Sequence, residues 1–376
     1  MSRRLLLLTI ALLMFPQLAQ TLYSPALADL AGRFALPPAA ASQAMSLYLF
    51  GFAAGVLLWG RLADHIGRRP ALLCGLAVFA LAACGGLLAS TFGHVLLAQA
   101  LAALGAAAAS VVTQTVLRDR LKGPALEQAF SWIGMALALS PAIGLALGVL
   151  LVDRHGYAGV QAGLLLIVIL LMLGCASGLQ ESRPAEVVHT PLLPLLRQLL
   201  RDRWIWSQAL LVMAFNVAMY SWYTLGPFVF ERLHWPLAWF GASGAVLALG
   251  SALGAWGNAR LLRAGIASAT RIRLAAGLVL AGGLLAALLR NQPALVAAMV
   301  PVVAGFGLAI PNVLGQALRG YPHCLGSAGA LFGLLYYLLI GAAMAVVGAL
   351  QLLAPTLILC GLLALWLQRP ARLSAG

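Results

Sequence analysis

The sequence predicts an all-α membrane protein with twelve transmembrane helices in two six-helix halves. Three observations carry that expectation. Of the 376 residues, 63% are hydrophobic and only 9% are charged, whereas soluble domains carry about a quarter charged residues. The apolar runs recur at the length of roughly 20 residues that takes a helix across a bilayer core. Those runs are continuous and do not alternate, which excludes a transmembrane barrel.

The first run, 5–28, follows Arg3-Arg4 and ends in Ala26-Leu27-Ala28, a cleavage-like triplet. It is longer than the core of about 7–15 residues found in a signal peptide, so it reads as the first helix. Helices 2 to 6 are expected at 42–62, 70–90, 94–117, 128–152 and 157–179. A polar stretch follows, containing Glu181, Pro184, Glu186, Pro191 and Pro194. The remaining helices are expected at 204–230, 236–258, 270–289, 293–318, 324–349 and 351–368. The expected organisation is an N-terminal half, 1–179, a cytoplasmic linker, 180–203, and a C-terminal half, 204–376.

Alternating the spans puts 19 of the 23 Lys and Arg on the side of the N-terminus, and Arg33, Arg154, Arg232 and Arg290 on the other. The positive-inside rule then places both termini in the cytoplasm. The net charge of +14 is scattered between apolar runs, so the bilayer is the expected partner and nucleic acid is not. The five cysteines, Cys74, Cys84, Cys175, Cys324 and Cys360, lie in or beside apolar segments without CxxC spacing. They read as buried thiols; no metal and no cofactor is expected. A monomer is expected.

The halves echo each other. Trp59-Gly60 recurs as Trp256-Gly257, the Gln114 to Arg118 segment as Gln316 to Arg319, and Tyr23-Ser24-Pro25 as Tyr223-Thr224, each about 200 residues apart. Duplicated halves with substrate held between them near the midplane are a transporter architecture.

The most specific motif runs Gly60-Arg61-Leu62-Ala63-Asp64-His65-Ile66-Gly67-Arg68-Arg69. Its glycines permit a tight turn and close helix approach. Asp64 is suited to receive a helix N-terminus or to pair with an arginine such as Arg118. The motif resembles the signature of the major facilitator superfamily. That resemblance implies a gating turn made by Gly60, Asp64, Gly67, Arg68, Arg69 and Arg118. Tyr23-Ser24-Pro25-Ala26-Leu27, Gly51-Phe52-Ala53-Ala54-Gly55 and Val116-Leu117-Arg118-Asp119 resemble the bicyclomycin-resistance (Bcr/CflA-type) drug:proton antiporters. This closer resemblance covers helices 1–6; helices 7–12 match by architecture alone. In helix 5, Gly134, Pro141, Gly144 and Gly148 partly match the antiporter motif, with Ser140 standing where a glycine is expected. Pro141 and Gly144 therefore join the gating set. Efflux, a small-molecule cargo and proton exchange are what the resemblance implies.

Two positions that serve proton coupling in the family are neutral in this chain, Thr21 and Gln99. The nine carboxylates, Asp29, Asp64, Asp119, Glu127, Asp153, Glu181, Glu186, Asp202 and Glu231, all fall in loops or at helix ends. A proton relay ordinarily places an ionisable group inside a span, where desolvation moves its pKa. Asp29 and Glu231, near the outer ends of helices 1 and 7, are the nearest candidates for proton coupling.

Uncharged polar and aromatic residues instead recur at helical spacing: Gln17, Gln20, Thr21 and Ser24 in helix 1, with Ser110, Thr113 and Gln114 in helix 4. Helix 5 adds Trp132, helix 7 Asn216, Tyr220, Tyr223 and Thr224, helix 10 Asn312 and Gln316, and helix 11 Tyr336 and Tyr337. Polar groups in hydrocarbon must be satisfied, so these stripes face the bundle interior or a wet cavity. Singly, each reads as interhelical glue worth about 0.6 kcal/mol. Helices 1, 4, 7 and 10 line the central cavity in the superfamily the motif resembles, and there the set reads as a substrate site.

The expected function is export of a small amphipathic molecule by alternating access. Without cavity carboxylates, neutral or anionic cargo is favoured over cationic. An anionic siderophore-like metabolite, driven out by a potential worth about 2.3 kcal/mol per charge per 100 mV, is the alternative. The spans carry no HExxH and no paired aspartates, and His189 lies in the linker, so an enzyme is not expected. A non-transporting receptor or scaffold is the reading from a different class.

Overall fold

The structure, a computed structural model, describes residues 3–183, 192–321 and 324–368. Pro184, Glu186, His189 and Pro191 of the expected linker, and the terminal Arg369 and Arg372, lie outside the described residues.

The first span is broken into α1 (Arg3–Tyr23) and α2 (Ala26–Arg33). Pro25 causes the break, because it cannot donate a backbone N–H to the turn before it. The sequence pattern suggested one unbroken helix there, since its apolar residues run straight through. α3 (Pro38–Ile66) and α4 (Arg68–Leu87) are separated by Gly67 alone, whose φ of 104° is open to glycine and strained for other residues. α5 (Phe92–Arg120) starts at Thr91, whose hydroxyl accepts the His94 N–H.

α6 (Pro124–Gly178) contains two spans folded back on each other at Gly156, with φ 60° and ψ −154°. Gly159 in the second limb lies against the Leu151 carbonyl and the His155 side chain of the first. Asp29 completes the fold-back by accepting the Tyr157 N–H at 2.8 Å, at the start of the second limb.

Between the sixth and seventh spans stands α7 (Leu192–Arg201), an amphipathic helix that buries Leu195 and Leu199. The expected linker thus holds structure of its own. The chain then runs through α8 (Arg203–Arg232), α9 (Leu237–Arg263), α10 (Ser268–Leu288) and a 3₁₀ turn, Pro293–Ala298, leading into α11 (Met299–Ala317). α12 (Leu325–Leu350) and α13 (Leu353–Leu367) complete it. Among the described residues, ten helices are long and apolar enough to cross a membrane, and α13 is a shorter apolar helix. Because α6 crosses twice, the total is the expected twelve.

Successive spans reverse direction, so the bundle has two ends. The turns after α3, α5, α9 and α11 define the end rich in arginine, the basic end; the fold of α6 and the turns after α8 and α12 define the distal end. Where the first six spans meet the last six, α3 runs beside α12 and α6 beside α9. Close approach there depends on missing side chains. A Cβ at Gly244 of α9 would stand 2.6 Å from the Pro141 carbonyl oxygen of α6, and, within the first six spans, one at Gly144 would overlap the Thr21 hydroxyl of α1. Small residues at such crossings let the backbones pack directly.

Candidate functional site: a cavity between the two halves

Each wall of the central cavity is one helix face. On α1, Leu13, Pro16, Gln17 and Gln20 stand at i, i+3, i+4 and i+7, one helix face, and on α6 Phe130, Ile133, Gly134 and Leu137 do the same. α3 contributes Tyr48 and Phe52, α5 contributes Ser110 and Gln114, and Tyr220 of α8 and Tyr337 of α12 close the ring. The enclosed volume is about 350 Å³, within the range of about 300–1,000 Å³ typical of small-molecule sites.

The lining is aromatic and amide in character, with no ionised side chain among these residues. Phe52 and Tyr337 bring their rings to 4.8 Å across the halves, and Tyr337 also meets Tyr336 at 4.6 Å. The Tyr48 hydroxyl donates to the Pro16 carbonyl at 2.9 Å, which anchors the ring at the cavity wall. The Gln20 side-chain nitrogen is buried without a partner, and the Gln114 amide makes only a long 3.4 Å bond to Ser110. A buried donor without an acceptor costs about 1–3 kcal/mol, so these amides are poised to bond a guest or water.

The fate of the expected site residues follows from helix geometry. Gln17, Gln20, Gln114 and Tyr220 line the cavity. Trp132 does not: it falls off the face formed by Phe130, Ile133 and Leu137 and is 50% exposed. Thr21 turns its hydroxyl onto the Gln17 carbonyl of its own helix at 2.9 Å, and Asn216 likewise onto Val212 at 2.8 Å. Ser24 donates across the halves to the Tyr223 carbonyl. Thr113 and Tyr223 are buried, their hydroxyls unpartnered, outside the lining. Tyr336 stands behind Tyr337. Asn312 belongs to a separate network at the basic end, where its amide donates to Asn258 at 2.8 Å and Arg271 donates to the same oxygen at 3.0 Å. Gln316 uses its backbone carbonyl to accept the Trp204 indole at 3.3 Å. Tyr48 and Phe52 carry much of the lining yet stood out in no polar pattern; a tyrosine in mid-span is the signal that could have flagged the first.

The Gly60 to Arg69 turn at the basic end is held by charge. Arg68 is buried at the start of α4; its Nη1 meets Asp64 at 2.5 Å and its Nε meets Asp119 at 3.1 Å. Asp64 therefore pairs within its own turn, four residues on. It does not pair with Arg118, which is exposed on α5, one position round from Asp119. Glu181, which sequence reasoning left in the linker, accepts backbone N–H groups of Arg68 at 2.9 Å and Arg69 at 3.1 Å, with Ser182 and Arg183 both at 2.9 Å. Burial pushes its carboxyl upward, but those four N–H groups outweigh it and hold the pKa below its ordinary value. Arg69 donates to the Ala176 carbonyl at 2.6 Å. A Cβ at Gly60 would meet only Val111, at ordinary contact distance, whereas Pro141 and Gly144 sit where α6 touches α9 and α1.

Of the two carboxylates expected as proton-coupling candidates, Asp29 is engaged by the Tyr157 N–H and Glu231 is exposed in the last turn of α8. Neither reaches the cavity lining.

A sequence model of the Major Facilitator Superfamily matches residues 9–346. The chain belongs to the Major Facilitator Superfamily. As a major facilitator transporter it is similar to an uncharacterized transporter of Rickettsia bellii, 27% identical over 89% of this chain and 87% of the relative. A chloramphenicol resistance protein of Pseudomonas aeruginosa is 26% identical over 86% of this chain and 79% of its own. Multidrug resistance protein D of Escherichia coli is 30% identical over 50% of this chain and 48% of its own. Among solved structures, a D-xylose-proton symporter superposes with a TM-score of 0.77 over 97% of this chain and 96% of its own, at 12% identity. That likeness concerns the major facilitator fold.

Proposed function

We propose that this transporter exports a small amphipathic molecule, neutral or anionic, across the cytoplasmic membrane of a bacterium by alternating access. The observation that carries the reading is the cavity of about 350 Å³ between the halves, lined by tyrosines and glutamines and by no ionised group. Aromatic faces take rings, amides take carbonyl and hydroxyl groups, and a site without carboxylates offers nothing to hold a cation. Relatives named for multidrug and chloramphenicol resistance support efflux of such compounds.

Lysine and arginine asymmetry supports placing the basic end, and both termini, in the cytoplasm. At the distal end the halves are joined: Ser24 bonds Tyr223, Gln351 donates to Ser42 at 2.8 Å and Gln43 donates to the Ala345 carbonyl at 3.3 Å. At the opposite, basic side of the cavity, Gly134 has no atom within 4 Å of its absent side chain. This arrangement supports a cytoplasm-facing state, with Asp64, Arg68 and the neighbouring turn as the gate that rearranges in the other state.

A lining without carboxylates leaves room for anionic cargo, driven by membrane potential, as a second reading. Proteoliposomes loaded with chloramphenicol, which is uncharged, or with 2,3-dihydroxybenzoate, an aromatic anion, test the two readings. Dihydroxybenzoate efflux that is lost when the potential alone is dissipated supports the potential-driven reading. Efflux lost with the pH gradient alone supports proton exchange, and no flux under either gradient overturns the proposal for this cargo class.

A further inference from the structure

A second hollow lies away from the cavity, on the surface of the last six spans at the basic end. It holds about 580 Å³ between α9, α10 and α11. Along α10, Thr270, Arg273, Leu274, Gly277 and Leu278 share one helix face and form its wall. Polarity changes along that face. Thr270 and Arg273 stand in the first turns of α10, and below them the lining is aliphatic or glycine. Leu274 is 48% exposed, so the groove opens sideways toward hydrocarbon.

Its depth comes from glycines that packing does not require. Gly254 is pressed on the backbone of Ala304, which explains its lack of a side chain, but nothing lies within 4 Å of a Cβ built at Gly257 or Gly277. A glycine inside a helix costs about 1 kcal/mol against alanine, and at these two positions the structural return is an open groove. Its mouth is cationic. Arg273 uses its Nε to donate to the Gln368 carbonyl at 2.9 Å, leaving its terminal nitrogens without a partner among the described residues. Arg260 and Arg263 end α9 beside it. After Asp202 the only carboxylate side chain in the sequence is Glu231, which stands at the distal end, so among the described residues of the last six spans no carboxylate answers this charge.

We infer that the groove binds one anionic phospholipid from the leaflet at the basic end. Its phosphate sits against Arg273 and Thr270, where the free N–H groups of the α10 N-terminus add to the attraction. One acyl chain lies along Gly277 and Gly257. A polar, cationic mouth at the interface above an apolar trough in the hydrocarbon matches an amphiphile of that charge.

Native mass spectrometry of the full chain, titrated with palmitoyl-oleoyl phosphatidylglycerol or the corresponding phosphatidylcholine, tests this. The expected result is one tightly held phosphatidylglycerol preferred over phosphatidylcholine. Arg273→Gln weakens phosphatidylglycerol about fivefold, the effect of one basic side chain at an anionic lipid surface, and removes the preference. Gly277→Leu fills open space and lowers retention of both lipids, with lipid-free thermal unfolding unchanged. Equal retention of the two lipids by the native chain, or unaltered phosphatidylglycerol affinity in both variants, overturns the inference.

Discussion

Ser24 donates its hydroxyl proton to the backbone carbonyl of Tyr223, 199 residues away, and so ties the break in the first span to the seventh. The break creates this bond: Pro25 ends α1 at Tyr23, and the freed turn lets Ser24 reach out of its own helix. Because the bond joins the two halves at the distal end, it belongs to the state with that end closed.

Removing it biases the equilibrium between states. Ser24→Ala is expected to favour the distal-open state by about 1 kcal/mol, the net worth of one hydrogen bond, or roughly fivefold. Spin-label distances between the distal ends of α3 and α12 read this directly, and an unchanged distribution removes the latch.

Arg68 is the buried cation that two carboxylates share. Arg68→Gln leaves Asp64 and Asp119 facing each other without it, and a loss of about 3 kcal/mol in unfolding stability is expected. Asp64→Asn keeps the Arg68–Asp119 pair and is expected to leave ligand affinity within about twofold of native while slowing transport. Normal transport by Asp64→Asn counts against the gating role.

Glu181 makes the same turn sensitive to pH. Its folded pKa lies below the ordinary 4.5 because four N–H groups prevail over desolvation. The unfolded chain thus binds more protons in this window, so the stabilisation is whole above pH 4.5 and is lost as pH falls through the lowered value. Lower protection of the Arg68 and Arg69 amides, read as exchange relative to the intrinsic rate at each pH, is expected on acidification, and Glu181→Gln should show low protection at every pH. Equal pH dependence in both proteins contradicts the assignment.

Inside the cavity, Tyr220→Ala and Gln114→Ala are each expected to weaken binding of an aromatic cargo such as chloramphenicol by about tenfold, through lost ring contact and a lost amide. Trp132→Ala, off the lining face, is expected to leave binding within about twofold. Calorimetric titration of the three variants separates cavity wall from outer surface. The reverse ordering would mean that the cargo sits elsewhere.

How legible the site was depended on the residue. Gln17 and Gln20, one turn apart on α1, were readable because an amide in a span has few reasons to be there. Asn312 obeyed the same rule, yet its partners Asn258 and Arg271 lie in another network, and only their positions in space reveal it. Trp132 looked like an aromatic wall by type; one step of helical rotation puts it outside. Phe52 was silent, since an apolar residue in a span faces lipid, a neighbour or a cavity with the same composition. Glu181 was hidden for the opposite reason: a charged residue after a helix is ordinary until the backbone it caps is seen.

By itself the sequence determined the twelve crossings, the charge asymmetry of the two ends and the turn from Gly60 to Arg69. These are local properties, because hydropathy over some 20 residues decides whether a segment crosses a bilayer and glycine decides where it turns. Tertiary structure decided which amides share the cavity, that Arg68 rather than Arg118 takes Asp64, and that the halves lock at the distal end. Each of those depends on how one helix is rotated against another, and the packing of whole faces sets that rotation.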